Sequence, residues 1–378
     1  MRILHIISSM DLAGGGPPEG LRRLAEGYQR EGHEVEIATL DDPRAPFIAT
    51  LPYPVWAHGP VRGYGYSRSL LPWLREHSSR FDAVIVNGLW QYHSRAAWLA
   101  LRGRQRYGVF VHGMLDPYFN RPLLTKFAKK WPYWFLSERH LIADAHRVFF
   151  TSQAEQSLAA RSLRPYRANG MVVPYGTPGP SGDPAAFRER FNGMYPGLRG
   201  KRFLLFLGRI HPKKGCDLLI EGFAAAAASE TGLHLVMAGP DRTGWKAQLE
   251  ARARELKITD RIHWLDMLSG EAKWGAFYAA DAFILPSHQE NFGIAVAEAL
   301  ACGAPVLISD KINIFDEVQR DGAALVESDT LEGTRALLQR WIAMEPEQRT
   351  RMRQAARRSF ESRFNSQMLP STIVSAFQ

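Results

Sequence analysis

Cysteine is scarce in this chain, and long apolar runs are missing. Of its 378 residues only Cys216 and Cys302 are cysteines, and their separation fits no metal-binding spacing. Two isolated cysteines are typical of a reducing compartment, where they serve as small buried apolar side chains. No uninterrupted run of about 18 apolar residues occurs, so the sequence predicts no helix that spans a bilayer.

Metal and nucleic-acid signatures are missing as well. The chain has no Asp-x-Asp tripeptide and no His-Glu-x-x-His motif, so nothing in it supports a dedicated divalent-metal site. The formal charge of +9 is compatible with an acidic small molecule, nucleic acid or an anionic membrane surface. Because no RNA-binding signature, zinc-finger spacing or basic heptad array is present, nucleic acid is the weakest of these three explanations.

Strand and helix patterns alternate through both halves of the chain. MRILHIISSM predicts a first strand rather than a signal peptide, because no small-residue cleavage site follows it. The glycine- and proline-rich GTPGPSGDP, residues 176–184, predicts a linker, after which the alternation begins again. We therefore expect two doubly wound, Rossmann-like α/β domains with parallel sheets, at 1–178 and 179–360, facing a central cleft. A C-terminal helix at 361–378 is expected to pack back on the first domain.

Ligands of such sheets bind beyond the carboxyl ends of the strands, so motifs at those positions carry most weight. The first is DLAGGGPPEGLRR, residues 11–23, where the glycine triplet at 14–16 allows close approach of a phosphate or a sugar. A dinucleotide fingerprint requires a third glycine where Glu19 stands, which disfavours an NAD-dependent dehydrogenase. The alternative is an ordinary tight turn between strand and helix.

A basic loop, FLGRIHPKKG at residues 206–215, follows the first strand of the second half. Arg209 and Lys214 are suited to a diphosphate, since arginine binds phosphate oxygens in a bidentate manner. The loop lacks the Walker spacing of Gly-x4-Gly-Lys-Ser/Thr. The alternative is a solvated basic turn, and Lys213 is expected to face solvent in either case.

Two carboxylates stand in the otherwise apolar segment HQENFGIAVAEALACGAPV, residues 288–306. Glu290 is expected in a strand-end loop, where the backbone of Asn291, Phe292 and Gly293 offers N–H donors to the same ligand. Glu298 is expected about two turns into the following helix. A capping acid and a helix-surface acid are the alternatives. A buried carboxylate needs partners, however, and ligand hydroxyls can serve as such partners.

Polar residues also end two strands of the first half. His112 and Asp116 lie in VFVHGMLDPYF, and a histidine at a strand end can donate to a sugar or phosphate oxygen. Asn87, Trp90 and His93 lie in NGLWQYH and are candidates for contact with an acceptor. The alternatives are a structural histidine, whose hydrogen bonds are satisfied within the protein, and a core tryptophan.

Residues 123–140 combine lysines with aromatic side chains, as interfacial helices do. Pro132 argues against one straight amphipathic helix, and partly buried aromatics with a solvated basic side are an equal alternative. An inner-leaflet membrane surface is therefore one expected partner.

Together these motifs resemble the retaining glycosyltransferases of family 4, which have the two-domain GT-B fold. The resemblance covers essentially the full chain. HGMLDPYF is similar to a subgroup found in bacterial exopolysaccharide and lipopolysaccharide gene sets. One departure is Tyr175, where relatives often carry asparagine. The elements that carry the resemblance are GGG at 14–16, VHG at 111–113, VPYG at 173–176, GRIHPKKG at 208–215, MAGP at 237–240 and the Glu-x7-Glu pair.

The resemblance implies a role for each matching residue of the second half. Arg209 and Lys214 would bind the diphosphate of a nucleotide-sugar donor and stabilise its charge as it leaves. Glu298 would accept hydrogen bonds from the ribose. Glu290 would hold the sugar hydroxyls together with the backbone at 291–293.

Residues of the first half receive implied roles as well. His112 would lie near the reacting centre, and Gly15 and Gly16 near the donor phosphates or the acceptor. Catalytic roles are thus expected for His112, Arg209, Lys214 and Glu290.

The function expected from the sequence is transfer of a hexose from a nucleotide diphosphate sugar to a glycan or lipid-linked glycan in bacterial surface polysaccharide synthesis. The enzyme is expected to work without metal or other cofactor, in the cytoplasm or peripherally at the inner membrane. Alternatives are a nucleotide-sugar epimerase of the same fold and a non-catalytic nucleotide-sugar-binding subunit. The base, the sugar, the acceptor and the linkage stay open.

Overall fold

The computed structural model describes residues 1–12, 16–120 and 130–378, and it divides the chain into two compact units. Unit 1 comprises Met1–Tyr175 and Gln367–Gln378, whereas unit 2 comprises Gly176–Ser366. The observed boundary lies within a few residues of the one expected at 178. The expected C-terminal segment 361–378 is divided, because its first residues belong to unit 2.

Unit 1 is built on a parallel sheet with the strand order β3-β2-β1-β4-β5-β6-β7. Alternate residues of its first strand point to opposite faces, as the two-residue period of a strand requires. Leu4 and Ile6 join one buried cluster, and Ile3 and Ile7 join the other. The strands are β1 Arg2–Ile7, β2 Glu34–Thr39, β3 Val55–Ala57, β4 Ala83–Asn87, β5 Tyr107–Phe110, β6 Arg147–Phe150 and β7 Gly170–Val172.

Helices cover both faces of this sheet. They are α1 Gly16–Arg30, α2 Leu70–His77, α3 Tyr92–Leu101, α4 Arg139–Ala143 and α5 Gln153–Ser162, with a π-helical turn at Trp134–Glu138 before α4. The residues at helix ends explain the boundaries. Gly32, at φ +79°, follows the end of α1, and the Ser152 hydroxyl caps the start of α5 by accepting the Glu155 N–H.

Unit 2 repeats the architecture with the strand order β10-β9-β8-β11-β12-β13. Asp183 caps its first helix by accepting the N–H groups of Ala185 and Ala186. The strands are β8 Arg202–Leu207, β9 Leu233–Ala238, β10 Ile262–Leu265, β11 Ala282–Leu285, β12 Val306–Ser309 and β13 Ala324–Glu327. The helices are α6 Pro184–Met194, α7 Cys216–Ser229, α8 Lys246–Glu255, α9 Gly270–Ala279, α10 Ile294–Ala301, α11 Phe315–Arg320, α12 Leu331–Ile342 and α13 Pro346–Ser359.

The last helix, α14 Leu369–Ser375, belongs to unit 1. Gly27 of α1 lies against Pro370 so closely that a Cβ at Gly27 would meet the proline ring at 2.5 Å. The absence of a side chain at Gly27 therefore allows α14 to pack directly against α1. None of the helices that the structure describes is both long and apolar enough to cross a membrane.

The strand order of each sheet reverses at one place, between β1 and β4 in unit 1 and between β8 and β11 in unit 2. Ligands of doubly wound sheets bind at the carboxyl ends of the strands beside such a reversal. Asn87 ends β4 in unit 1. In unit 2, Arg209 follows β8 and Glu290 follows β11. The topology thus positions the candidate residues of each unit at the edge where a ligand site is expected.

Candidate functional site

The basic loop of unit 2 runs from β8 to α7 through a short turn at Pro212–Lys214. Gly215 closes the turn at φ +66°, a conformation that favours glycine. A Cβ at this position would also collide with the carbonyl oxygen of Pro286, just after β11. Glycine is therefore required here for the loop to pack against the end of the neighbouring strand.

Lys214 and Glu290 form an ion pair, in which the Lys214 ammonium donates to Oε1 of Glu290. Both side chains are largely buried, with exposed fractions of 17% and 14%. The Ser287 hydroxyl lies 3.1 Å from the same carboxylate oxygen and 2.9 Å from the carbonyl oxygen of Lys213. The structure thus brings together two predicted site residues that are far apart in sequence and adds Ser287 to them.

Arg209 differs from Lys214, since its side chain is exposed and has no hydrogen-bond or ion-pair partner in the described parts of the chain. A guanidinium group has five N–H donors and keeps its charge at any physiological pH. Arg209 therefore presents its donors to solvent from the same loop that carries Lys214, as an anion-binding group does.

The Glu290 loop is held by its backbone. The Glu290 N–H donates to the Lys311 carbonyl at 2.9 Å, and the Glu290 carbonyl accepts from the Asn313 N–H at 3.1 Å. Gly293, at φ +76°, precedes α10, and a Cβ there would lie 3.1 Å from Ile312. A side chain at Gly293 is accordingly disfavoured both by backbone strain and by the close neighbour.

The two residues between Glu290 and Gly293 differ in what their side chains do. Phe292 is buried and packs edge-on against Phe364, with ring centroids 5.9 Å apart. A ligand contact at Phe292 would therefore have to use its backbone, and such a contact stays a prediction. The Asn291 side-chain oxygen lies 3.5 Å from the amide nitrogen of Asn313.

Glu298 lies on α10 and is only 4% exposed. Lys273 of α9 donates to its Oε1 at 2.7 Å, and the Lys273 ammonium also lies 4.4 Å from the centre of the Trp274 ring. The partner that this buried carboxylate requires is thus a lysine of the protein. Sequence reasoning missed Lys273, because the sequence around it indicates only a helix residue next to a tryptophan. Contact between Glu298 and a ribose stays a prediction.

His112 of unit 1 follows β5 in the left-handed conformation, at φ +48°, and Gly113 continues at φ +72°. The imidazole stacks on Phe110 at a centroid distance of 5.4 Å. Its Nε2 lies 3.3 Å from Oδ1 of Asn87. Burial lowers the pKa of His112 to about 4, so the ring is neutral at pH 7.

Two of the predicted acceptor contacts lie in the interior of unit 1 instead. Asn87 is 4% exposed, and its Nδ2 lies 3.0 Å from Nδ1 of His5, a residue that sequence reasoning missed within the first strand. His93 is 1% exposed, and its Nε2 donates to the Asn87 carbonyl at 3.0 Å. The end of strand β4 and the start of α3 thus place both side chains in the interior of unit 1, and their contact with an acceptor stays a prediction.

The other two acceptor candidates are held by local hydrogen bonds. Trp90, at φ +71°, donates its indole N–H to the Met114 carbonyl at 3.1 Å and is partly exposed. Asp116 is 8% exposed, and its Oδ1 accepts the Tyr118 N–H at 2.8 Å. Contact of these two residues with an acceptor stays a prediction.

A buried carboxylate that sequence reasoning also missed supports the His112 turn. Glu155 is 3% exposed, and its Oε1 accepts the Gly113 N–H at 2.5 Å. Its Oε2 accepts from the N–H and the hydroxyl of Thr151, at 2.6 and 2.7 Å. The only sequence signal was Ser-x-x-Glu at 152–155, which is typical of a capping box rather than of a residue that supports a distant loop.

Some predicted residues lie outside the described part of the chain, namely Gly14, Gly15, Lys126 and Lys129. Gly16 begins α1, and a Cβ there would meet nothing within 4 Å. Within the described ranges, no group of three His, Cys, Asp or Glu residues is placed to hold a metal ion. Metal independence stays a prediction.

Two family models match the chain. "Glycosyl transferase 4-like domain" matches residues 15–176, and "Glycosyl transferases group 1" matches residues 196–359. A curated relative is the D-inositol 3-phosphate glycosyltransferase of Actinosynnema mirum, 29% identical over 79% of this chain and 78% of the relative. The enzyme of the same name from Geodermatophilus obscurus is 33% identical over 54% of this chain, and that alignment spans about half (48%) of the relative.

Solved structures share the fold over nearly the whole chain. Sucrose-phosphate synthase from Thermosynechococcus elongatus superposes with a TM-score of 0.77 at 19% identity, covering 100% of this chain and 98% of the other. WaaG, a glycosyltransferase involved in lipopolysaccharide biosynthesis, gives a TM-score of 0.72 at 17% identity with both chains fully covered. Anabaena HepE, solved with UDP and glucose, gives 0.76 at 16% identity, with 99% and 98% covered.

The expected fold is confirmed by the two parallel-sheet units and by these structural neighbours. The two family models together extend over most of both units. The chain is therefore a glycosyltransferase of the GT-B fold, with a glycosyl transferase 4-like domain followed by a group 1 glycosyl transferase domain.

Proposed function

We propose that the enzyme transfers a hexose from a uridine diphosphate sugar, whose diphosphate binds to the basic loop of unit 2. The observation that carries this proposal is a basic loop in which Arg209 is exposed and Lys214 is paired with Glu290. A leaving nucleoside diphosphate gains negative charge during transfer, and preorganised cations lower the barrier by stabilising that charge. The structures of Anabaena HepE with UDP and with UDP-glucose support the choice of base and sugar.

The ion pair gives Lys214 and Glu290 complementary tasks. Glu290 holds the lysine in place before the donor arrives, and a phosphate oxygen can then share the ammonium group, which has three donors. Glu290 accepts from Lys214 and Ser287 through Oε1, and its other oxygen provides further acceptor capacity for sugar hydroxyls. Donor binding then requires no large rearrangement of the loop.

The acceptor is proposed to be a glycan or lipid-linked glycan of bacterial surface polysaccharide. The similarity to WaaG, a glycosyltransferase involved in lipopolysaccharide biosynthesis, supports this choice. The curated relatives are instead named for D-inositol 3-phosphate, which makes a small phosphorylated polyol the second candidate. Retention of the anomeric configuration and independence of metal rest on the resemblance of the motifs to the retaining family.

Donor specificity is tested by thermal shift with UDP-, GDP- and ADP-sugars, with and without EDTA. We expect stabilisation by UDP-glucose or a related UDP-hexose, unchanged by EDTA. Stabilisation by NAD and by none of the sugars would overturn the proposal. With the preferred donor, proton NMR of the product then reads the anomeric configuration, and inositol 3-phosphate and oligosaccharides are compared as acceptors.

Peripheral association with an anionic inner leaflet is proposed for the aromatic and basic segment that leads into α4. Leu136 is 62% exposed and Trp131 is 37% exposed. Lys130 and Arg139 supply positive charge in the same segment. Flotation with vesicles that contain anionic lipid should show binding that Leu136→Ser weakens. Met267→Ser, at a methionine of unit 2 that is 71% exposed, is the matched control. Absence of binding by the unaltered protein would contradict this part of the proposal.

A further inference from the structure

Three side chains of unit 1 form a row across the reversal point of the sheet. Asn87, at the end of β4, lies between His5 of β1 and His112 after β5. The amide nitrogen of Asn87 also lies 3.4 Å from the carbonyl oxygens of Ile6 and Ile85. An amide nitrogen only donates and an amide oxygen only accepts. The two carbonyls therefore fix the orientation of the amide, because the opposite one would turn Oδ1 towards them.

This orientation determines where the proton of each histidine lies. Because Nδ2 of Asn87 donates to Nδ1 of His5, that nitrogen of His5 carries a lone pair. Because Oδ1 of Asn87 accepts, Nε2 of His112 must carry a proton. Burial lowers the pKa of His5 to about 3 and that of His112 to about 4, so both rings are neutral at pH 7. Neutral His112 with its proton on Nε2 therefore has a lone pair on Nδ1.

The backbone at His112 is held in its conformation by a hydrogen bond of the next residue. A positive φ at a residue with a Cβ costs about 1–2 kcal/mol and persists only where the surroundings impose it. The Glu155 carboxylate imposes it by accepting the N–H of Gly113, the next residue. The titratable groups that face the turn are therefore His5 from β1 and Glu155 from α5.

We propose that Asn87 is a positioning residue, which holds His112 in the Nε2–H tautomer so that its Nδ1 accepts a hydrogen bond from a substrate hydroxyl. Nδ1 of His112 has no partner in the described ranges of the chain. In this role His112 accepts a hydrogen bond from the substrate. The sequence instead predicts that it donates one to a phosphate or sugar oxygen. The proposal rests on the proposed sugar transfer for its substrate, whereas the tautomer itself is a property of the free protein.

Nitrogen-15 NMR of histidine-labelled protein, without ligand, tests the tautomer directly. The His112 signals are assigned by their loss in His112→Gln. We expect the unaltered protein at pH 7 to show a protonated Nε2 and an unprotonated Nδ1, and Asn87→Leu to lose this single tautomer. A protonated Nδ1 in the unaltered protein would overturn the proposal, even if sugar transfer is established. Failure of the protein to bind any nucleotide sugar would instead contradict the proposed function and leave the NMR result intact.

Kinetic measurements distinguish a positioning role of Asn87 from a purely structural one. Asn87→Leu should lower kcat about 100-fold with little change in KM for the donor, because a catalytic group is misplaced while donor binding is kept. Asn169→Leu is the control, since Asn169 is an exposed residue of unit 1 whose amide donates to the His146 carbonyl. A kcat for Asn87→Leu within a factor of two of the control would contradict the positioning role.

Asn87→Asp supplies a second test, which does not depend on the leucine variant folding. The aspartate keeps an acceptor for Nε2 but adds a negative charge, which raises the pKa of His112. Protonated His112 has no lone pair on Nδ1, so activity should fall as the pH drops through the raised pKa. The unaltered enzyme should show no such fall above about pH 5. Identical pH profiles would overturn the proposal.

Discussion

The two units place polar side chains at equivalent points of similar sheets, but they use opposite chemistry. Unit 2 carries charged groups there, with Arg209 exposed and Lys214 paired with Glu290. Unit 1 carries neutral groups, with buried His5 and Asn87 linked to the partly buried His112. A charged edge suits the binding of a diphosphate, whereas a neutral, orientated row suits hydrogen bonds of fixed direction. The shared topology therefore supplies the place for a site, and the local side chains decide its chemistry.

The largest loss of activity is expected when a cation of the charged edge of unit 2 is removed. Arg209→Ala and Lys214→Ala should each lower turnover about 10²- to 10³-fold, because each removes stabilisation of the leaving diphosphate. Steady-state assays with the donor identified by thermal shift measure the effect, and circular dichroism checks the fold. Arg190→Ala, at a 67% exposed arginine of α6, should retain full activity. Near-normal turnover in both site variants would refute their role.

The interior of unit 2 contains a buried ion pair, Lys273–Glu298. Lys273→Met should destabilise the protein by about 3 kcal/mol, because it leaves the Glu298 carboxylate buried without its lysine. Chemical denaturation measures the change. The double variant Lys273→Met with Glu298→Gln should recover part of the loss, since no uncompensated charge then remains. A double variant as unstable as the sum of the two single variants would show that the residues are not coupled.

Acidic pH should lower the free energy of unfolding of unit 1, because this unit contains buried histidines. Burial lowers the folded-state pKa of His5 to about 3 and of His93 to about 4, from an ordinary value of 6.5. The unfolded chain therefore binds protons that the folded chain does not, and stability falls as the pH drops below about 6.5. Each histidine should cost about 2 kcal/mol at pH 5 relative to neutral pH.

Denaturation at pH 7 and pH 5 measures this loss. His93→Gln, which cannot be protonated, should lose correspondingly less stability between the two pH values than the unaltered protein. An equal loss in both proteins would contradict the contribution of His93.

The smallest of the expected effects is that of a substitution at Gly293, for which Gly303 is a matched control. Both glycines have positive φ, at +76° and +66°, so alanine at either should cost about 1–2 kcal/mol of stability. Only Gly293 lies in the loop that presents Glu290. Gly293→Ala should therefore lower activity beyond what its stability loss explains, whereas Gly303→Ala should lower melting temperature alone. Equal activities of the two variants would exclude Gly293 from the site.

Sequence reasoning located the charged edge more accurately than the neutral row. Arg209, Lys214 and Glu290 stand in loops directly after apolar strands, where charge has no role in the core and the parallel sheet brings the loops together. Asn87 and His93 also stand near a strand end, but the alternation of a strand does not tell which strand-end residues turn inward. Both were therefore assigned to an acceptor, although the structure buries them.

The partners of buried groups were the least predictable part. His5 was hidden in the apolar pattern of β1, and Glu155 and Lys273 lie on helices whose local sequence indicates only a cap and a surface position. Each acquires its role from a residue that is distant in sequence, Asn87, Gly113 and Glu298 respectively. Such pairs depend on three-dimensional packing, which neither spacing nor composition encodes.

The binding of UDP to the basic loop is the central claim, and isothermal titration of UDP tests it most directly. The unaltered enzyme and Arg190→Ala should bind UDP with equal affinity, which decreases as salt is added because the contacts are ionic. Arg209→Ala should bind at least about 10-fold more weakly, corresponding to the loss of one charge-assisted contact. Equal affinities in Arg209→Ala and Arg190→Ala would contradict the assignment of the diphosphate to this loop.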